Sequence, residues 1–324
     1  MSRVKIGVVG AGHLGRFHAL NYRELPDVDL VGVYDVNPDR GKQVAEEAGC
    51  QFFDKASALL EQVQAVSVAV PTDYHYQVAA PILMQGVHCL IEKPIAQNVD
   101  EARELIELAE KSNAILQVGH IERFSPAMDA IQNLVLNPKF IEGHRLAPFN
   151  PRGTEVAVIL DLMIHDIDVV LGVVDSPVAH IDASGVAVVS ETVDIANARI
   201  RFENGCVANL TASRISQKMM RKMRLFQKDA YISIDFNKKY SEIYELEGNP
   251  DKVDMVLGEI GIGENAKKVT YYKPPVEEKN ALREELKEFV QAVQGKPSRG
   301  VTGIEGRDAL DVAMRILDLI QATV

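Results

Sequence analysis

Leu160-Asp161-Leu162-Met163-Ile164-His165-Asp166-Ile167-Asp168 holds the residues whose spacing best suits moving a proton. On an α-helix Asp161, His165 and Asp168 stand at i, i+4 and i+7 and share one face, beside an apolar stripe of Ile164, Ile167 and Leu171. A helix this apolar is expected to be largely buried, so its polar stripe must face a cleft or be paired. An imidazole there can titrate near neutrality and serve as general base, with Asp161 orienting the ring. A core histidine satisfied by a carboxylate fits the same letters, and taken alone it is the commoner outcome. A metal site is not expected, because neither an H-E-x-x-H pattern nor a cysteine set accompanies the pair.

Gly10-Ala11-Gly12-His13-Leu14-Gly15 follows an apolar run and opens an amphipathic stretch, the strand-turn-helix setting that a dinucleotide fingerprint requires. Gly10 then makes the tight turn, Gly12 lets the backbone approach a pyrophosphate, and Gly15 allows close helix packing. The helix start offers free N–H groups and a positive dipole end to the phosphates. Twenty residues past Gly15, Asp35 closes the second apolar run, where a carboxylate accepts from the adenosine ribose and repels a 2′-phosphate. NAD is therefore expected over NADP. A structural turn with an incidental aspartate is the plainer reading; strand, helix and aspartate in register favour the dinucleotide. Two further loops, Pro71-Thr72-Asp73-Tyr74-His75 and Glu92-Lys93-Pro94, leave later strands and in a parallel sheet emerge at the same rim. Lys93 then reaches the nicotinamide end, where an ammonium stabilises charge developing on an alcohol oxygen. In isolation it fits a solvated loop charge or a salt bridge with Glu92 better. His75 alone reads as a cap or packing residue.

In order, Gly10-x-Gly12-x-x-Gly15, Pro71-Thr72-x-x-His75, Glu92-Lys93-Pro94 and Asp161-x-x-x-His165 resemble the motifs of the glucose-fructose oxidoreductase, inositol dehydrogenase and rhizopine-catabolism (Gfo/Idh/MocA) oxidoreductases. The resemblance covers nearly the whole chain, as far as Ala281 to Gln291 and Gly303 to Leu317. It implies a Rossmann domain, a second domain on a large, mostly antiparallel sheet, and hydride transfer between a sugar-like hydroxyl and a nicotinamide. It implies catalytic roles for Lys93, Asp161 and His165, the last two also touching substrate. The implied cofactor site comprises Gly10, Ala11, Gly12, His13, Leu14, Gly15, Asp35, Pro71, Thr72, His75, Glu92 and Lys93. One departure stands out: many members approach the Asp-x-x-x-His helix through glycines, where this chain has Glu155-Val156-Ala157-Val158-Ile159.

Gly119-His120-Ile121-Glu122-Arg123-Phe124, with Leu160 to Asp168, is similar to the branch that oxidises UDP-N-acetylglucosamine at the 3-hydroxyl. In that branch the 3-keto sugar passes to an aminotransferase on a route to the diamino sugars of lipid A. The similarity makes His120 and Arg123 expected substrate contacts, against the plainer reading of Arg123 as a partner for Glu122 or a helix-start charge. Homodimers or homotetramers joined through the open sheet face are implied as well. A dehydrogenase of a free polyol such as an inositol, or an NAD-binding sensor without chemistry, stand as alternatives. Arg214, Lys218, Arg221, Lys222 and Arg224 form a basic run that can receive a diphosphate or simply be a solvated face.

The elements that must position these residues follow from the rhythm of the chain. Strands near 4–9, 29–34, 65–70, 87–91 and 114–118 alternate with helices near 13–25, 38–48, 73–85 and 98–111, the pattern of βαβ units in a doubly wound parallel sheet. Past residue 123 come helices near 125–135 and 157–171. Strand-like segments follow at 178–189, 193–202, 206–213 and 230–236, with Asn204-Gly205 suited to a hairpin. Helices near 278–293 and 303–322 close the chain. The fold is read as α/β: a Rossmann domain over residues 1–120 and an α+β substrate-binding and oligomerisation domain over 121–324, whose final helix can pack back on the first. A length of 324 residues exceeds what one core holds. A net charge of -11 removes the basic footprint that nucleic acid or an anionic membrane needs. No run resembles a signal peptide or is long enough to span a bilayer, and Cys50, Cys89 and Cys206 lie far apart. Reduced thiols in a cytoplasm are expected.

Overall fold

The computed structural model describes residues 3–151, 153–248, 252–262 and 265–322. The chain divides into two compact units: Met1–Ile121 with Asn280–Asp311, and Glu122–Lys279 with Val312–Val324.

In the first unit the chain runs β1 (Val4–Val9), α1 (His13–Glu24), β2 (Val28–Tyr34), α2 (Pro38–Ala48), β3 (Gln51–Phe53), α3 (Ala56–Leu60), β4 (Ala65–Val68), α4 (His75–Met84), β5 (His88–Glu92), α5 (Val99–Ser112) and β6 (Leu116–Gly119). All strands are parallel, in the order β3-β2-β1-β4-β5-β6. That order reverses direction between β1 and β4, and open α/β sheets bind ligands at the carboxyl ends of the strands flanking such a reversal. The helices begin and end where local chemistry directs. Asn37 caps α2 by accepting from the Asp39 and Arg40 N–H groups, Pro38 takes the first helical position, and Gly49 at φ +67° ends it. β3 and α3, three and five residues long, escape the sequence reading because neither spans two full periods.

The second unit runs α6 (Pro126–Asp129), β7 (Phe140–Leu146), α7 (Ile164–Val173), β8 (Val178–Val186), β9 (Ile195–Phe202), β10 (Val207–Ser213), β11 (Met220–Gln227), β12 (Ala230–Asp235), β13 (Tyr240–Leu246), β14 (Met255–Ile260) and β15 (Lys267–Tyr272). Its nine-stranded sheet has the order β14-β15-β13-β12-β11-β7-β10-β9-β8. β7 and β10 pair in parallel and all other neighbours antiparallel. The β9–β10 hairpin turns at Asn204-Gly205, but only Gly205 takes a positive φ (+83°); the Phe202 N–H donates to Cys206 and the Gly205 N–H to Phe202, a three-residue turn ending in a left-handed glycine. Two expectations fail here. The helix expected over 125–135 shrinks to the four residues of α6. The helix expected over 157–171 opens instead with a π-helical turn, Ile159–Met163, before α7.

α8 (Ala281–Val293) and α9 (Gly303–Gln321) end the chain. α8 belongs to the first unit: Leu286, Phe289 and Val290 share a buried cluster with Ile6 and Val8 of β1, Ala19 and Tyr22 of α1 and Val33 of β2. Asn280 caps α8, and its amide donates to Asn21 of α1 at 3.0 Å. α9 divides, with residues to Asp311 in the first unit and those from Val312 in the second.

Candidate active site

In the first unit three loops leave the neighbouring strands β1, β4 and β5 at one rim. Gly10 sits at φ +93°, and a Cβ there would meet the Ala69 carbonyl oxygen at 2.6 Å. A Cβ at Gly15 would lie 1.7 Å from the Gly10 oxygen. Both glycines are demanded by the protein itself. Gly12 is different: its φ of -67° suits any residue, and an added Cβ would meet nothing within 4 Å. No side chain caps the first turn of α1. The open space over Gly12 and the uncapped helix start fit a dinucleotide pyrophosphate, the group that a glycine here would admit. His13 and Leu14 begin α1 with exposed side chains. Asp35, at the end of β2, is buried and accepts from the Ala11 N–H at 2.6 Å, which ties it to the glycine turn.

The Glu92-Lys93-Pro94 segment is held by two buried histidines from different elements. His18 of α1 donates from Nε2 to Glu92 Oε1 at 2.8 Å. Burial would raise the Glu92 carboxyl, but the hydrogen bond and charge of His18, and the charge of Lys93, outweigh it and hold the carboxyl below its ordinary value. His75, at the start of α4, places Nδ1 2.8 Å from the Pro94 carbonyl oxygen and Nε2 3.0 Å from that of Val70. Burial lowers its pKa, and a neutral ring donates to one of the two carbonyls. His75 thus links the loop after β4, where Pro71 is exposed and Thr72 half-buried, to the loop after β5. Lys93, half-buried between its anchored neighbours, follows β5 directly.

In the second unit the π-helical turn carries Asp161, and α7 carries His165, Asp166 and Asp168. The i, i+4 spacing of Asp161 and His165 therefore spans two helical geometries, and π turns of this kind recur at functional sites. Asp161 and His165 are half-buried, whereas Asp166 and Asp168 are buried. Asp168 grips Arg123, accepting from Nε at 2.8 Å and Nη2 at 2.7 Å. Asp166 grips Arg145 of β7 through Nε at 3.0 Å and Nη2 at 2.8 Å, while Arg145 Nη1 donates to Glu122 at 2.8 Å. One buried guanidinium therefore joins the segment after β6, strand β7 and the helix bearing His165.

Residues 4–120 match the family described as an oxidoreductase family with an NAD-binding Rossmann fold, and residues 142–232 match the GFO/IDH/MocA C-terminal domain. Along its full length the chain is similar to the UDP-N-acetylglucosamine 3-dehydrogenase of Acidithiobacillus ferrooxidans, 37% identical over 323 residues and 99% of each chain. A solved structure of that enzyme aligns over 99% of both chains with a TM-score of 0.90. The inositol 2-dehydrogenase of Rubrobacter xylanophilus is 34% identical over 176 residues, 51% of each chain. The chain belongs to the Gfo/Idh/MocA oxidoreductase family. As a member it is an NAD-dependent dehydrogenase acting on a CH–OH group.

Within this Gfo/Idh/MocA chain the unusual approach Glu155 to Ile159 is anchored rather than loose. The buried Arg214 donates from Nη1 to the Gly153 carbonyl at 2.8 Å and from Nη2 to that of Val156, and Thr192 Oγ1 donates to the Thr154 carbonyl at 2.7 Å. The basic run is thereby dispersed. Arg214 is an internal anchor, Arg221 lies 3.7 Å from Glu122, Lys222 3.2 Å from Asp235 and Arg224 3.2 Å from Glu142, while Lys218 is exposed. Strand alternation sends Arg221 to one face of β11 and Lys222 and Arg224 to the other. His120 is fully buried, and the Arg123 side chain keeps 18% exposure. Sequence reasoning missed Arg145, Glu122 and Asp166 as a network. A lone arginine in an alternating strand gave no sign of its two partners.

Proposed function

We propose that this dehydrogenase oxidises the 3-hydroxyl of UDP-N-acetylglucosamine to a ketone. The observation that carries the reading is the full-length likeness to the Acidithiobacillus ferrooxidans enzyme; the inositol dehydrogenase quoted above matches only about half the chain. Gly10, Ala11, Gly12, His13, Leu14 and Gly15 hold the pyrophosphate, Asp35 the adenosine ribose, and Pro71, Thr72, His75, Glu92 and Lys93 the nicotinamide side. NAD, when bound, supplies the hydride acceptor. His165 accepts the hydroxyl proton, Asp161 holds the imidazole in the right orientation, and Lys93 stabilises the oxygen as it gains negative charge. His120 and Arg123 belong to the substrate side, with Asp168 fixing the guanidinium of Arg123.

The work is done in the cytoplasm, and a pathway aminotransferase consumes the 3-keto sugar on the way to the diamino sugar of lipid A. The oligomer is a homodimer or homotetramer formed on the sheet face opposite α7. A row of aromatic rings supports this, Phe140, Phe226, Tyr231, Tyr244 and Tyr271, whose successive centroids lie 5.8, 4.9, 5.2 and 5.2 Å apart across five strands. Sedimentation of the wild type and of Tyr231→Glu tests that surface, which is wrong if both sediment as the same oligomer.

The substrate is tested with UDP-sugars, free sugars and inositols, assayed with and without an aminotransferase trap and with products identified by mass spectrometry. UDP-N-acetylglucosamine should be oxidised at C3, and free N-acetylglucosamine should lose turnover as well as affinity, because binding energy of the remote UDP positions the hydroxyl. If myo-inositol or a free hexose outperforms every UDP-sugar, the nucleotide-sugar assignment fails.

A further inference from the structure

The helical run that carries Asp161 and His165 is not started by its own residues. No side chain caps it at Val158, and Val156, Val158 and Ile159 are β-branched residues of low helix propensity. Contacts from distant segments hold it instead. Ala157, whose carbonyl accepts from the Leu160 N–H at 3.0 Å and the Asp161 N–H at 3.1 Å, is gripped on both sides. Before it, the Val156 carbonyl accepts from Arg214 Nη2, and the carbonyls of Gly153 and Thr154 accept from Arg214 Nη1 at 2.8 Å and Thr192 Oγ1 at 2.7 Å. After it, the Val158 N–H donates to the Val193 carbonyl at 2.9 Å. These partners stand on the loop between β8 and β9 or just past the end of β10. Asp194 makes that loop firm. One of its carboxylate oxygens accepts from the N–H groups of Val188 and Val189 at 2.8 Å and of Ser190 at 2.9 Å, the other from Ser190 Oγ at 2.6 Å. The Arg214 N–H donates to the Asp194 carbonyl at 3.0 Å, and its buried guanidinium keeps Nε 3.8 Å from the Asp194 carboxylate. Burial would raise the Asp194 carboxyl, but the Ser190 hydroxyl and the three N–H groups outweigh it and hold the group well below its ordinary value, so Arg214 keeps its counter-charge.

We propose that Arg214, Asp194 and Thr192 are positioning residues of the reaction: together they set the rotation of the π-helical turn and so the direction in which Asp161 faces. The proposal rests on the reading that Asp161 orients His165 for proton transfer. Each helical residue turns by about 100° around the axis, so a start that slips by one residue swings Asp161 to another face. π turns are rare, and this one is gripped from outside at the residues that begin it. Arginine suits the task because its planar fork reaches two carbonyls at once, where a lysine ammonium is a single point of charge. The grip is on backbone carbonyls and an N–H, so these residues act on turnover through Asp161.

Turnover of UDP-N-acetylglucosamine with NAD, and amide exchange over residues 157–165, test this in Arg214→Lys, Asp194→Asn, Thr192→Val and Thr192→Ser, each alone and combined with Asp161→Asn. Thr192→Val keeps the shape of the side chain and removes only the hydroxyl, so it carries the test if the buried pair cannot be altered without loss of folding. Arg214→Lys and Asp194→Asn should each lower kcat at least about tenfold and Thr192→Val about threefold, with KM moved by less than about twofold. Thr192→Ser, which keeps the hydroxyl, should match wild type. Exchange at Leu160 and Asp161 should quicken in the three slow variants and not in Thr192→Ser. In the Asp161→Asn background, itself slow, none of them should lower kcat further. Losses that multiply in that background overturn the proposal, as does wild-type turnover in both Arg214→Lys and Thr192→Val, and unchanged exchange in those two overturns it whatever the substrate. Near-normal turnover in Asp161→Asn would sink the reading of Asp161 and the proposal with it, whereas a slow Asp161→Asn beside unimpaired clamp variants sinks the proposal alone.

Discussion

The rim of the first unit and the helix α7 of the second satisfy their buried charges with different mixes of partners. In the first unit the polar groups around the rim mix backbone partners with side-chain ones: Asp35 takes the Ala11 and Asn37 N–H groups beside Arg40, His75 meets the Pro94 and Val70 carbonyls, and Glu92 takes His18. Around α7 in the second unit, side chain answers side chain, with Arg145 between Glu122 and Asp166 and Arg123 on Asp168. Backbone partners come with the strand-loop-helix geometry and sit within one or two loops. Side-chain partners come from segments that only the finished sheet makes neighbours. The first arrangement ties the rim in part to local backbone, and the second places one helix by a few removable side-chain contacts.

Arg145 is where that difference breaks most sharply. Arg145→Met leaves two buried carboxylates with only the more distant Arg221 as counter-charge, and should cost about 3–5 kcal/mol of stability by urea unfolding. Adding Glu122→Leu and Asp166→Leu should recover much of the loss. A single variant as stable as wild type would mean that the network does not place α7.

Next in size are the two chemical groups, one from each unit. Lys93→Ala and His165→Ala should each lower turnover by a factor of ~100 or more, with NAD affinity little changed. Steady-state kinetics beside calorimetry would expose the error: a variant with near-normal turnover is not part of the mechanism.

The glycines sharpen the comparison inside the first unit. Gly12→Val should weaken NAD by about tenfold or more, ~1.4 kcal/mol, without moving the melting temperature. Gly15→Val should instead lower the melting temperature, because its Cβ would lie 1.7 Å from a carbonyl oxygen. Loss of folding in the Gly12 variant would contradict the open space above it.

The smallest effect is on pH dependence. The folded-state pKa of Glu92 lies below its ordinary value of 4.5. A depressed carboxylate contributes stability that is fully present above the unfolded value and is lost as pH falls through the folded one. Glu92→Gln should therefore flatten the acid limb of a melting-temperature profile below pH ~5. An unchanged slope would show that the His18 pair adds nothing to acid stability.

By itself the sequence determined the parallel half of this protein and which residues stand at its rim. The βαβ period is local, and the roles of Gly10, Gly15 and Asp35 depend on backbone within a strand, a turn and a helix start. The same locality lets Lys93 and His165 be proposed as the chemical groups, since each stands in a short motif. What only the tertiary structure decided is how they are held. α8, distant in sequence, completes the core under β1. β7 and β11 were illegible because their alternation mixes arginine, lysine, glutamate and histidine with the apolar residues, so no period-2 signal rises above the charge. Until those strands lie side by side, nothing in the order of residues says that Arg145 will meet both Glu122 and Asp166. Nor does the spacing of Thr192 and Arg214 show that both will hold the carbonyls ahead of Asp161. Pairing of side chains across elements is set by which surfaces the fold brings together, and no local spacing encodes it.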